Sequence, residues 1–160
     1  MRLRALTFAI IGALAVAPTA LTRSPGPAFA IGNGHAANEH FRFGAFALPG
    51  SASTHRAEGH ATFWATKNGV TKRVDLRVTC LRTRGTVATV GGILTTSRGA
   101  VLGARLRAAF FYVRDTGQTG PSDRISRVFK RARLLVRCPR PNPRQLAYRV
   151  REGDLVVDKG

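Results

Sequence analysis

The sequence predicts an all-β fold: one antiparallel β-sandwich or barrel of roughly eight strands, placed after a cleaved signal peptide. Three observations carry this. From residue 41 onward apolar side chains recur with a period of about two, not about 3.6, and no window carries an amphipathic helical stripe. Clusters of Gly, Pro, Ser and Asp punctuate the chain about every ten residues. Asn68-Gly69 then sits between two alternating segments, the strongest short hairpin signal because both turn positions need positive φ.

Residues 1–30 read as a secretory leader. Met1-Arg2-Leu3-Arg4 is a short basic start, Ala5 to Ala17 is apolar and uncharged, and Ala28-Phe29-Ala30 is the small-x-small pattern cut by a signal peptidase. The apolar run ends at Pro18, short of the roughly 20 residues a transmembrane helix needs, and no later stretch supplies a transmembrane segment. No cysteine lies near the cut and no twin-arginine pair precedes it, so the expectation is a secreted protein, extracellular or associated with the cell wall. Cleavage removes Arg2, Arg4 and Arg23 and no acid. The remaining chain holds 23 Lys and Arg against 8 Asp and Glu, a net charge of +15. Such a charge favours anionic partners, and it singles out no specific nucleic acid. Only Lys67, Lys72, Lys130 and Lys159 are lysines, and an Arg-, Ala- and Gly-rich composition is equally the product of a high-GC genome.

Residues 31–40, rich in Gly, Asn, Ala and His, read as a flexible mature N-terminus, which leaves 41–160 as a single β-domain. Phe41, Phe43, Ala45 and Ala47 alternate with Arg42, Gly44, Phe46 and Leu48, and Pro49 to Ser53 then turn the chain. In the Asn68-Gly69 hairpin the turn fixes the register. Lys67 pairs with Val70, Phe63 with Val74 and Ala61 with Leu76 on an apolar face. Trp64 faces Arg73, Thr62 faces Asp75 and His60 faces Arg77 on a polar one, and a slip of one residue would invert the two.

Cys80 continues the inward set Val74, Leu76 and Val78, and Cys138 continues a second alternating set with Leu134 and Val136. A Cys80–Cys138 disulfide is therefore expected. Thr86 to Thr96 reads as one strand bent at Gly91-Gly92. Arg105 to Arg114 is another strand, with Leu106, Ala108, Phe110 and Tyr112 on one side. Asp115 to Asp123 and Pro139 to Pro143 are loops. Leu146, Tyr148 and Val150 alternate, and Leu155 to Val157 ends the chain after a Glu152-Gly153-Asp154 turn.

The order of GHATF at 59–63, VDLRVTCL at 74–81, GTVATVGG at 85–92, FFYVRDTGQTGPSDRIS at 110–126 and GDLVV at 153–157 resembles a group of small secreted actinobacterial all-β proteins, the post-COAP type of extracellular β-domain. The resemblance covers most of residues 41–158 and implies a barrel or sandwich with no assigned activity. Its motifs are turn residues between strands, so it transfers no functional residue. This chain departs from the group in its high basic charge and its Pro-rich 139–143 loop.

Among candidate sites, Trp64 with Arg73, Arg77 and His60 is the leading ligand surface, since an outward Trp beside Arg stacks on a sugar or base or pairs internally with the cation. Asp115 and Asp123 are a weak calcium candidate, but they depart from the ordered acidic loop and suit a tight turn equally well. His35, His40, His55 and His60 lack metal-ligand spacing, and no cofactor is implied. No nucleophile-elbow or paired-carboxylate motif appears, so an enzyme is the lesser expectation. The leading reading is a secreted, non-enzymatic β-domain that binds anionic polymer or carbohydrate of the cell envelope. A secreted hydrolase and a structural interaction module are the alternatives.

Overall fold

The computed structural model describes residues 26–51, 53–98, 106–117, 122–135 and 137–160; the basic start and apolar run of the expected leader lie outside these, as does Val136. The strands are β1 (Phe29–Ala36), β2 (Glu39–Ala47), β3 (Arg56–Lys67), β4 (Val70–Arg84), β5 (Val87–Arg98), β6 (Ala108–Arg114), β7 (Arg124–Ile125), β8 (Phe129–Arg131) and β9 (Tyr148–Asp158). β1 to β6 pair in sequence, β6 pairs with β7, β7 with β9 and β9 with β1, all antiparallel. The result is a closed eight-stranded barrel, with β8 an appendage paired to the start of β6. Closure removes the exposed strand edges that an open sheet of this length would present.

The register of the β3–β4 hairpin follows the sequence expectation at each pair from His60↔Arg77 to Lys67↔Val70. Asn68 and Gly69 both take positive φ, 52° and 73°. Phe63, Ala61 and Leu76 point into the barrel, where Phe111 receives Phe43 and Phe63 edge-on at centroid distances of 5.1 and 4.9 Å. Such edge-to-face pairs add about 0.5–1.5 kcal/mol each beyond their buried area. The interior is apolar and filled, and the exterior of β2 to β4 carries Arg42, His60, Arg73 and Arg77, the inverse of a membrane-spanning barrel's faces. Among the described residues no helix is long and apolar enough to cross a membrane.

Four expectations are corrected. Residues 31–40 are not a flexible start: His35↔His40 and Asn33↔Arg42 pair across the β1–β2 hairpin, and β1 is bonded on its other edge to β9. Its first residues, Phe29 and Ala30, precede the expected cut, and Ala30 is fully buried in the core. Gly and Asn suggested flexibility, but two flanking strands satisfy this backbone on both sides.

The Glu152-Gly153-Asp154 turn is instead the middle of a continuous β9. Gly153, at φ 101°, sits where an added Cβ would collide with the carbonyl of Asn33, and one extra residue in β9 is absorbed as a bulge between His35 and Ala36. A positive-φ glycine serves a bulge as readily as a turn.

Cys80 faces outward rather than into the barrel. A register shift between Val78 and Cys80 reverses the alternation, so Val78 and Leu81 occupy the core while Cys80 pairs with Gly91 on the outer surface. Cys138 does not lie on a strand, and Leu134 beside it is exposed.

The disulfide itself is present, with a Cα–Cα distance of 5.5 Å. It fastens the segment between β8 and β9 against the outside of β5, where an added Cβ on Gly91 would stand 3.0 Å from Cys80 Sγ and 3.3 Å from Cys138 Sγ. Under this strap lies a second small apolar cluster of Val87, Phe110, Tyr112 and Leu146. β6 is thereby buried on both faces. The bent-strand reading of residues 86–96 agrees with a continuous β5.

Candidate functional site

The barrel register arranges the outward side chains of β9, β1, β2, β3 and β4 into three rows. One runs Glu152, His35, His40, Trp64, Arg73. The next runs Asp154, Asn33, Arg42, Thr62, Asp75, and the third Val156, Ile31, Gly44, His60, Arg77. Glu152 and Asp154 stand at the β9 end, and Arg73 and Arg77 flank Asp75 at the β4 end. In the first row His35 stacks on His40 at 4.6 Å and His40 on Trp64 at 5.4 Å, an aromatic ridge across three strands. Trp64 is half-buried, held by its histidine neighbour on one side, and borders two shallow grooves of about 660 and 480 Å³ that share Arg42.

The structure thus brings Trp64, His60, Arg73 and Arg77 onto one outer face, as the hairpin pattern predicts. It assigns Arg73 a different task. The Arg73 guanidinium grips the Asp75 carboxylate through Nε at 2.9 and 3.0 Å and through a terminal nitrogen at 2.9 Å. Thr62 Oγ1 donates to the same carboxylate at 2.7 Å, and His60 Nε2 lies 3.7 Å away. Arg73 therefore does not lie on Trp64 as a cation–π partner; it orders the polar row. His40 and Asn33 join the face because strand pairing begins before residue 41, and Arg42 joins it through the β2–β3 register.

Burial pushes the Asp75 carboxyl up, and the hydrogen bonds from Arg73 and Thr62, with the charges of Arg73 and His60, more than offset this and hold it below its ordinary value of 3.8. A depressed carboxylate contributes stability that is fully present above its unfolded-state value and is lost as pH falls through the lower folded one. Asp75→Asn should therefore flatten the loss of stability below about pH 4, read by urea unfolding across an acid pH series. An unchanged acid limb would contradict the assignment.

Asp115 and Asp123 are used by the fold. β7 is two residues long, so β6 and β9 approach each other along a seam that backbone pairing alone does not close. Asp123 is fully buried; its Oδ1 accepts from Thr116 N at 3.0 Å and Thr116 Oγ1 at 2.9 Å, and its Oδ2 accepts from Leu155 N at 3.1 Å. Asp115 Oδ1 accepts from Gly117 N at 2.6 Å and Oδ2 from Val157 N at 3.0 Å. Each of the four carboxylate oxygens is thus taken by backbone or hydroxyl donors, and the weak calcium pair is a clasp across the seam. Among the described residues no group of three or more His, Cys, Asp or Glu converges in metal-binding geometry. His55 lies elsewhere, and burial first, then the charges of Arg82 and Arg137, hold its imidazole below the ordinary value.

The fold and this face define a disulfide-strapped, closed antiparallel barrel with an aromatic and basic outer surface. Comparison with family models, with curated proteins and with solved structures finds no match to this chain.

Proposed function

We propose that the chain is a secreted, non-enzymatic barrel, released from an N-terminal leader that ends before β1, and that it binds anionic polymer or carbohydrate of the cell envelope through the outer face of β1 to β4. The observation that supports this most directly is the ridge of His35, His40 and Trp64 beside a row of hydrogen-bonding groups, Asn33, Arg42 and Thr62. A flat aromatic next to fixed donors and acceptors suits a sugar ring, and Arg42 and Arg77 supply charge for an acidic one.

The test is retention of the mature protein on peptidoglycan, teichoic acid and DNA across a salt series. Trp64→Ala and Arg77→Glu should each weaken envelope binding about tenfold. Arg140→Glu and Arg144→Glu, on the strap, should change it little. Affinity should fall with salt, because a bound polyanion releases counterions. Equal losses from both pairs would replace a site with diffuse electrostatics.

A further inference from the structure

On the seam side of the barrel the register places arginine against arginine. Arg114 of β6 is directly opposite Arg124 of β7, and Arg124 is directly opposite Arg149 of β9. These side chains face outward, since their neighbours Val113, Ile125 and Val150 fill the core. Neighbouring strands lie about 4.8 Å apart, so three guanidinium groups stand in one row within reach of a single small anion. Like charges directly opposed across strands are unfavourable. No described acid forms an ion pair with them: among the described residues Asp75 is the only acid that pairs with a cation, and it lies on the other face. The acids adjacent in sequence, Asp115 and Asp123, have their oxygens turned to N–H and O–H donors of the seam. Beside the row lies a recess of about 590 Å³ bordered by Arg124, Arg149, Arg151 and Tyr148, with only the small side chains of Ala37 and Ala147 completing it.

We infer that this arginine row is a phosphate-binding site. A tetrahedral oxyanion offers acceptors in several directions and takes hydrogen bonds from more than one planar guanidinium at once, which converts the repulsion between the arginines into shared attraction. Arg124 is the central rung, flanked by Arg114 and Arg149, and Arg151 and Tyr148 border the space into which a phosphate's substituents extend. The site rests on the β6–β7–β9 register and is independent of the Trp64 face. The phosphate is either free or a unit of a phosphate-containing polymer, and the two are separated by experiment.

The experiment measures thermal stability and calorimetric binding of the mature protein with millimolar inorganic phosphate and with linear polyphosphate, against chloride at matched ionic strength. Wild-type protein should show saturable stabilisation. Arg124→Gln should weaken phosphate or polyphosphate binding about tenfold, while Arg144→Gln should leave it unchanged. Without ligand, Arg124→Gln should melt no lower than wild type, because the substitution relieves the like-charge contacts; this separates loss of a site from loss of the fold. Saturation by inorganic phosphate assigns the free anion, and saturation by polyphosphate alone assigns the polymer. Absence of saturable binding by either probe, or equal effects of Arg124→Gln and Arg144→Gln, would overturn the inference.

Discussion

Replacing both Cys80 and Cys138 with Ala should lower the unfolding free energy by about 4 kcal/mol, the loop-entropy value for a bridge between residues 58 apart in sequence. The structure adds where the loss appears first. The bridge lies outside the barrel and pins the strap over Val87, Phe110 and Tyr112. Without it, Leu135 and Leu146 are the described strap residues that still pack on that small cluster. Limited trypsin digestion should therefore cut at Arg133 or Arg137 in the variant before the barrel strands are attacked. A variant with wild-type stability, or one cut first within β2 to β4, would contradict the placement of the bridge.

Asp123→Ala should cost about 3 kcal/mol. The carboxylate is fully buried and serves Thr116 twice and Leu155 once. Truncation leaves a cavity and removes hydrogen bonds to a charged group, each worth roughly 1.5–3 kcal/mol, although exposed Thr116 recovers part of this from water. Leu155 N keeps a second acceptor, Asp154 Oδ1 at 3.0 Å, so the loss there is partial. Asp115→Ala should cost less, since Asp115 is only half-buried. Urea unfolding gives the energies, and amide exchange gives the location: Val157 should lose protection in the Asp115 variant and Thr116 in the Asp123 variant. Stability within about 0.5 kcal/mol of wild type for Asp123→Ala would show that the seam closes without its clasp.

What the sequence made legible was whatever is settled locally. The Asn68-Gly69 turn fixes nine consecutive pairs, from Lys67↔Val70 to Gly59↔Val78, so both faces of β3 and the near half of β4 could be read by counting. Counting failed past Val78, where the register shift reverses the faces and sends Cys80 outward. It failed again at Gly153, whose positive φ suits a turn but here lets β9 pass close to the carbonyl of Asn33. β1 was missed because its order comes from β2 on one edge and β9 on the other, and β9 lies more than a hundred residues away. The seam clasp was hidden for the same reason: Asp115 reaches Val157 across 42 positions and Asp123 reaches Leu155 across 32. The aromatic ridge needed β1 in place, so Trp64 was visible as a candidate while its stacking partners His40 and His35 were not.

Trp64 is the single tryptophan of the chain, so its fluorescence reports on the proposed binding face and nothing else. The decisive measurement is titration of the mature protein with teichoic acid and with a neutral glycan while Trp64 emission is followed at low and high salt. Binding through the outer face of β1 to β4 predicts a saturable change in emission with at least one of these ligands, shifted to about tenfold weaker affinity in Arg77→Glu and, for the anionic polymer, weakened by salt. In Arg124→Gln protein, which lacks the arginine-row site, binding detected by sedimentation with Trp64 emission unchanged would place the ligand elsewhere on the barrel and contradict the account.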